Sequence, residues 1–259
     1  MPAGLSSSDR NRYLRDGVLF PLPILSASEV DTYRAAASEL HKAFAENPKP
    51  IQWSALCFPW AYDLATHPVV LDVVEGLLGP EILVWGTLIV RKPARSSYFM
   101  SWHQDSAYAP LDLERSVSAW VALTESNATN GCMRVVPGSH RRGVAHRQGK
   151  NPDNLLDRRQ EVELEIDDDR ARDVILAPGE MSLHHFNTIH GSCSNRSERD
   201  RVGFVIRFTT PALKSCSFPV TRARGQDPCR HLWLAERPQE STLSEGLRLH
   251  AGYEQSGST

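Results

Sequence analysis

The feature that most constrains the fold is a change of texture at Glu81, after which short β-rich runs alternate with turn residues. The residues between the runs are ones that favour turns, namely Pro93, Asn127 to Gly131, Pro137-Gly138 and Pro178-Gly179. β-branched and aromatic runs bounded in this way are typical of strands. The pattern predicts strands at Ile82–Lys92, Tyr98–Tyr108, Val117–Thr124, Cys132–Val136, Val174–Ala177, Glu180–Phe186 and Arg201–Thr209.

The segment before Glu81 has helical periodicity. Ser26 and Glu29 have the spacing of a capping box, and apolar residues then recur every three or four positions, at Val30, Tyr33, Ala37, Leu40 and Phe44. A second helix is predicted from about His67 to Leu78, with Gly79 as its stop. Helices with one apolar face, followed by many short strands, predict a mostly β protein: a sandwich or jelly roll with flanking helices.

The length of 259 residues fits one domain, because barrels and sandwiches of about 200–250 residues fold as single units. We divide it into a helical front at about 1–80, a jelly-roll core at about 81–212 and a C-terminal extension at 213–259. The stretch His140–Arg172 is long, polar and weakly periodic. Such loops in compact domains are commonly functional, and we predict a substrate lid there.

Charge and composition exclude several classes of protein. The 29 Lys and Arg residues nearly balance 31 Asp and Glu, and the two signs are interspersed, which argues against a nucleic-acid partner. No apolar run reaches the length of about 18 residues that a membrane span needs. Met1 to Arg15 carries Ser and charge instead of an apolar export signal, so we expect a cytoplasmic protein. The cysteines are scattered, without a CxxC pair, and are expected to be reduced thiols: Cys57, Cys132, Cys193, Cys216 and Cys229.

The first candidate site is the pair His103 and Asp105, which lies inside a predicted strand. Residues two apart in a strand point to the same face, so the two side chains would project together as ligands for a divalent metal. A solvent-facing polar pair is the simpler explanation of an isolated HxD. The neighbouring Trp102 and Tyr108 favour the metal, because an unpaired charge among aromatic residues is costly to bury.

The second candidate site is the group His184, His185 and His190. One more neutral imidazole on an adjoining strand would complete two histidines and one carboxylate on one face of a metal, the arrangement of non-haem Fe(II) oxygenases. Spacing does not decide which histidine supplies it. His184 and His185 are consecutive in a predicted strand, so only one can face inward, and either could be a buried, hydrogen-bonded histidine.

Three separated motifs occur in the order of a known family. They are Ser101-Trp102-His103-Gln104-Asp105-Ser106-Ala107-Tyr108, then residues 130–140 (NGCMRVVPGSH), then His190-Gly191-Ser192 with Asn195-Arg196-Ser197 and Arg201. Together they resemble the phytanoyl-CoA dioxygenase family of Fe(II)- and 2-oxoglutarate-dependent oxygenases. The resemblance covers roughly Leu88 to Phe208 and implies a double-stranded β-helix core.

The resemblance also implies roles for individual residues. His103, Asp105 and His190 would be the metal ligands. Arg201 would form a bidentate ion pair with the far carboxylate of 2-oxoglutarate, and Ser192 would hydrogen-bond the same carboxylate. Gln104 and Trp120 would line the cosubstrate pocket, although a strand glutamine and a core tryptophan need no such role.

Arg207 is the rival to Arg201, because it shares a strand face with Arg201 by parity. Basic residues near the expected mouth of the site could attract an anionic substrate, although a solvated surface is their more common meaning: Arg91, Lys92, Arg95, Arg141 and Arg142.

The implied activity is hydroxylation of an unactivated C–H bond of a small molecule, such as a natural-product intermediate, with Fe(II), 2-oxoglutarate and O2 and with release of succinate and CO2. The alternatives are desaturation, rearrangement or halogenation on the same fold, or a zinc-dependent hydrolase. A halogenase of this kind commonly lacks the carboxylate ligand, whereas Asp105 is present. A zinc hydrolase would leave Arg201 without a function, and a non-catalytic module would be expected to have lost a ligand.

Overall fold

The computed structural model describes residues 4–45, 47–108, 115–213, 219–239 and 242–256. The α-helices are α1 Ser7–Asp16, α2 Ala27–Ala43, α3 Ser54–Cys57, α4 Pro59–Ala65, α5 Pro68–Leu78 and α6 Leu243–Ser256. The strands are β1 Val18–Pro23, β2 Ile51–Gln52, β3 Ile82–Lys92, β4 Met100–His103, β5 Val117–Ala122, β6 Met133–Val135, β7 His146–Gln148, β8 Gln160–Val162, β9 Arg172–Val174, β10 Glu180–His185, β11 His190–Ser192, β12 Arg201–Thr209, β13 Val220–Arg224 and β14 Leu234–Ala235.

Two antiparallel sheets form the core. The major sheet has the order β1-β10-β5-β12-β3-β13-β14, with β2 also paired to β3 and a parallel pairing only between β13 and β14. The minor sheet has the order β4-β11-β6-β9. Apolar side chains from both sheets pack against one another, as Trp120 and Val18 do against Met133 and Val135. The predicted mostly β jelly roll with flanking helices is therefore confirmed.

The helices cover the opposite face of the major sheet. α2 begins at Ser26, where the predicted capping box is present: Ser26 N–H donates to Glu29 at 2.7 Å, and Glu29 N–H donates to Ser26 Oγ. The buried face of α2, with Ala37 and Leu40, joins a core that includes Phe204 and Ile206 of β12. Alternate residues of β12 thus face the helices, and the residues between them face the minor sheet.

The predicted helical front also contributes a strand to the core. Val18–Pro23 pairs with β10 as the edge strand β1 of the major sheet. Its two prolines fit this position, because proline cannot donate to a sheet ladder and is tolerated at edges. We predicted only helices there, since the segment is short and lacks a clear alternation of polar and apolar residues.

The stretch His140–Arg172, predicted to be a long loop, is folded and packs next to the minor sheet. It contains the hairpin of β7 and β8, and Leu155 and Leu156 are buried. The amide of Leu155 also donates to the carbonyl of Phe99, next to β4. A role as a moving lid stays a prediction.

Two of the remaining sequence predictions concern cysteines and membranes. Cys57, Cys132, Cys193 and Cys229 are free thiols, whereas Cys216 lies outside the described residues. In the described ranges, no helix is both long and apolar enough to cross a bilayer.

One packing contact between β5 and β12 yields a stability prediction. The ring of Trp120 lies directly over Gly203, and a Cβ atom at position 203 would overlap it. Gly203→Ala should therefore lower the free energy of unfolding by about 1–3 kcal/mol, the usual cost of overpacking, measured by urea denaturation. Gly86→Ala is the matched control, because its nearest heavy atom, Arg207 Cδ, is 4.0 Å away. Equal stability of the two variants would contradict the packing described.

Candidate metal and cosubstrate site

His103 and His190 lie directly opposite each other across the ladder of β4 and β11. Their ring centroids are 4.1 Å apart, and both side chains are buried. Nδ1 of His103 lies 2.8 Å from the carbonyl of Ser101, and Nδ1 of His190 lies 2.9 Å from the carbonyl of Thr188. A carbonyl can only accept, so in each ring Nδ1 carries the proton and Nε2 carries the lone pair. This is the tautomer that binds a metal through Nε2.

Asp105 reaches the same point from a turn and not from a strand. β4 ends at His103, and Asp105 begins a short 3-10 helix, Asp105–Tyr108. Our strand prediction for Tyr98–Tyr108 was therefore wrong beyond His103. The chain turns there because the amide of Ser106 bonds the carbonyl of Phe186 and the amide of Ala107 bonds that of Gln104. His103 and Asp105 therefore converge because of this turn, and not because they are alternate residues of one strand.

The carboxylate of Asp105 is held by donors on the major sheet. Ser118 donates to Oδ2 at 2.7 Å, and the Arg207 guanidinium donates to Oδ1 at 3.1 Å. Burial alone would raise the pKa of Asp105, but Arg207, His184 and His190 outweigh it and hold the pKa well below its usual range. Asp105 is therefore an anion at neutral pH.

The three residues fit a divalent cation. One ligand atom from each of His103, Asp105 and His190 lies within 4.8 Å of the others, and all three residues are buried. Burial lowers the pKa of His103 to about 4, and burial together with His103 holds the pKa of His190 well below its usual value. Two neutral imidazoles and one carboxylate on one side of a cavity form the 2-His-1-carboxylate donor set suited to non-haem Fe(II).

The neighbouring histidines occupy different places. His184 is buried and lines the cavity, with Nε2 3.4 Å from Asp105 Oδ2 and its ring 4.6 Å from that of His190. His185 turns the other way, toward His140 at 5.3 Å between ring centroids, and its Nδ1 accepts from the amide of Asn187. His190 is thus the histidine that joins His103 and Asp105, as the family resemblance implies.

A cavity of about 700 Å³ opens beside these three residues. This volume is in the range that binds small organic ligands. Its middle is apolar, because Leu88, Val90 and Val205 lie between Arg201 and Arg207 along β3 and β12. Met100 and Met133, opposite Ser192, also line the cavity. Its outer end combines aromatic and charged side chains: Lys49, Trp53, Trp85, Asp157, Arg158, Arg207 and Tyr253.

The inner end contains Arg201, Ser192 and Trp120, three of the predicted cosubstrate residues. The Arg201 guanidinium lies over the Trp120 ring at 5.0 Å, and its Nη1 donates to the carbonyl of Gly131 at 2.7 Å. Arg201 is 2% exposed, and its Nε has no hydrogen-bond partner within the described ranges. Burial lowers the pKa of Arg201 to about 10, so the group stays charged at neutral pH. No carboxylate among the described residues pairs with it.

Gln104 does not reach the cavity wall. Its side-chain amide donates to the carbonyls of Arg142 and Asn187, and its Oε1 accepts from the amide of Val144. The residue therefore fastens the segment after β6 to the turn that carries Asp105. Its side chain has no donor left for a cosubstrate at the inner end.

Sequence reasoning misjudged Lys92, which we treated as a basic residue near the mouth. Lys92 is 0% exposed and lies behind Ser192, to whose Oγ it donates at 2.6 Å. Leu88 and Val90 line the cavity, and Lys92 is the next alternate residue of β3, so it lies on the same face of the strand. The outer residues Trp53 and Asp157 were missed for another reason: segments far apart in the sequence bring them together.

The comparisons with known proteins identify a family. The family model for phytanoyl-CoA dioxygenase (PhyH) matches residues 57–203, more than half of the chain. A probable phytanoyl-CoA dioxygenase of Caenorhabditis elegans is 26% identical over 199 residues, which cover 74% of this chain and 59% of the relative. A probable alpha-ketoglutarate-dependent hypophosphite dioxygenase of Stutzerimonas stutzeri is 30% identical over 150 residues, covering 56% and 52%. The chain spans about half the length of the curated relatives it matches.

Among solved structures, the non-heme monooxygenase ThoJ is similar over nearly its whole length. Its apo form has a TM-score of 0.82 and 28% identity, covering 96% of this chain and 95% of that chain. The nickel complex of ThoJ has a TM-score of 0.70 and 30% identity, covering 95% and 98%. The likeness thus extends beyond the matched family segment into the helical front and the C-terminal helix.

The site predicts one bound divalent metal per chain. Alanine at His103, Asp105 or His190 should abolish stoichiometric binding of Fe(II), measured by anaerobic calorimetry, because each substitution removes one of three donors. His185→Ala is the matched control, since His185 is also half-buried but turns away from the cavity. If binding survived in His190→Ala and disappeared in His185→Ala, the ligand would be His185 and not His190.

Proposed function

Because the chain belongs to the phytanoyl-CoA dioxygenase family, we propose that it is an Fe(II)- and 2-oxoglutarate-dependent dioxygenase. It hydroxylates an unactivated C–H bond of a small molecule and releases succinate and CO2. One observation carries the proposal: a donor set suited to a metal lines the same cavity as a buried guanidinium that no acid in the described part of the chain pairs with. A dicarboxylate that binds the metal with one end needs such a cation for the other.

His103, Asp105 and His190 would hold the iron. Bound Fe(II) and 2-oxoglutarate supply the redox chemistry that couples O2 to oxidative decarboxylation and to oxidation of a C–H bond. The protein contributes the donors and their orientation. The carbonyls of Ser101 and Thr188 fix the two imidazoles, and Ser118 and Arg207 fix the carboxylate. A preorganised shell of this kind is what a metal site needs to keep its geometry.

Arg201 would bind the far carboxylate of 2-oxoglutarate. A planar guanidinium matches a carboxylate with two parallel hydrogen bonds, and the unpartnered Nε supplies one of the donors. The Trp120 ring packs against the guanidinium of Arg201, and the Ser192 hydroxyl lines the same end of the cavity. Arg207 is a weaker anchor, because its charge is already neutralised by Asp105 at 3.1 Å.

The substrate would occupy the apolar middle and the mixed outer end of the cavity. The outer wall provides aromatic rings from Trp53, Trp85 and Tyr253 and hydrogen-bonding groups from Asp157 and Arg207. These groups suit a free small molecule with both apolar and polar parts, such as a natural-product intermediate. The apolar lining excludes water from the reacting carbon.

We also propose a cytoplasmic location. Four described cysteines are free, and thiols persist in the reducing compartment of the cell.

We propose no nucleic-acid partner, because the net charge is nearly neutral, at −2, and nucleic-acid binding needs an excess of positive charge.

The activity is tested by measuring succinate across a panel of candidate substrates with Fe(II), 2-oxoglutarate, ascorbate and chloride. The product should gain one oxygen atom and carry no chlorine isotope pattern, because Asp105 as an iron ligand would leave no position for chloride. Asp105→Gly should eliminate hydroxylation. Desaturated or rearranged products would agree with the proposed cofactors and would replace hydroxylation as the reaction type. A chlorinated product from the unmodified protein, or hydrolysis with zinc and without succinate, would contradict the proposal.

Arg201→Lys should weaken 2-oxoglutarate binding by about 1.5–3 kcal/mol, because lysine keeps the charge and loses the two-pronged contact. Anaerobic titration of the visible absorption of the iron–2-oxoglutarate complex measures the affinity, at saturating Fe(II). Arg207→Lys is the control, since Arg207 shares the same face of β12, and its affinity should stay close to that of the unmodified protein. The reverse pattern would transfer the anchoring role to Arg207.

A further inference from the structure

Lys92 is a fully buried lysine that the proposed chemistry does not use. It ends β3 and donates to Ser192 Oγ at 2.6 Å, to the carbonyl of Gly131 at 3.3 Å and to the carbonyl of Cys193. No acidic side chain among the described residues pairs with it. A buried lysine without a counter-ion is costly, so the three oxygen acceptors have to compensate for the lost hydration.

Counting donors links the charge of Lys92 to the direction of the Ser192 hydroxyl. A charged ammonium has three N–H groups, which match the three acceptors, and Ser192 then keeps its own proton free. Ser192 lines the cavity beside Arg201, so that proton can be donated to a ligand there. A neutral amine has two N–H groups and one lone pair. The lone pair can accept a hydrogen bond from the Ser192 hydroxyl, which then points away from the cavity.

The surroundings of Lys92 disfavour its charge until an anion arrives. Arg201, on the neighbouring strand β12, donates to the same carbonyl of Gly131 that Lys92 contacts. Burial, and next the charge of Arg201, lower the pKa of Lys92 to about 6. The other titratable groups that face it are Cys132 and Cys193, which would favour its charge only as thiolates. Burial raises the pKa of Cys132 to about 11, so that thiol is neutral near pH 7.

We propose that Lys92 is a positioning residue of the cosubstrate site: a carboxylate that binds at Arg201 and Ser192 draws a proton from solvent onto Lys92, which turns the Ser192 hydroxyl toward the ligand. This inference rests on the proposed function, because the carboxylate is that of 2-oxoglutarate. Once the ligand is bound, Arg201 and Lys92 act together as one anion site, and no acid in the described part of the chain pairs with either.

The direct test is proton uptake on binding. Titration calorimetry of 2-oxoglutarate into the anaerobic Fe(II)-loaded protein at pH 7.5, in phosphate and in Tris, gives the number of protons from the difference in enthalpy. The unmodified protein should take up nearly one proton. Lys92→Met should take up almost none and bind about tenfold more weakly, having lost one charge-assisted contact. Lys49→Met is the matched control, because Lys49 lines the outer end of the same cavity and should leave the uptake unchanged.

The unmodified protein also tests the inference without any substitution, should Lys92→Met fail to fold. The affinity for 2-oxoglutarate should be constant below about pH 6, where Lys92 is already charged in the free protein. It should then weaken by about tenfold per pH unit as the pH rises, because the free lysine has to gain a proton on binding. The lowered pKa values of His103 and His190 keep those groups out of this window.

A double-mutant cycle separates a positioning role from a purely structural one. If Lys92 acts through the hydroxyl, Lys92→Met should cost less affinity in the Ser192→Ala background than in the unmodified protein. Equal losses, or binding with no proton uptake and a flat pH profile, would overturn the role of Lys92 and leave the proposed function intact. A protein that binds Fe(II) and does not bind 2-oxoglutarate at any pH would overturn both.

Discussion

The pairing of β4 with β11 is the constraint on which the rest of the site depends. It sets His103 opposite His190 in the minor sheet, with both rings held by main-chain carbonyls. A shift of one residue in this ladder would turn one histidine to the other face of the sheet. The major sheet then completes the site from the other side, where Ser118 and Arg207 hold the Asp105 carboxylate.

Strand β12 gives the cavity its distribution of charge. Its alternate residues Arg201 and Arg207 face the minor sheet, but only Arg207 has an acidic partner, Asp105. At the inner end, no acid among the described residues pairs with Arg201, or with Lys92 behind Ser192. A buried positive charge there costs several kcal/mol unless an anion compensates. The outer end is mixed, with Asp157 among basic and aromatic residues. This distribution of charge supports the proposal that a dicarboxylate cosubstrate binds at the inner end and the substrate at the outer end.

The sequence predicted the candidate metal ligands better than it predicted the residues around them. His103, Asp105 and His190 were identified by motif, and the structure brings them together, but Asp105 arrives through a turn made by tertiary hydrogen bonds that no local pattern reveals. Gln104 was expected at the cosubstrate pocket, yet its amide is taken up by main-chain groups of Arg142, Val144 and Asn187. Lys92 was misjudged because a lysine at a strand end is most often solvated, and only the partner strand shows that it is covered.

A crystal structure of the anaerobic complex with Fe(II) and 2-oxoglutarate tests the central claim most directly. The account predicts iron bound by Nε2 of His103, Nε2 of His190 and one oxygen of Asp105. It also predicts the far carboxylate of 2-oxoglutarate on Arg201, within hydrogen-bonding distance of Ser192 Oγ. A far carboxylate bound by Arg207 at the outer end, or iron ligated by His184 in place of His190, would contradict it.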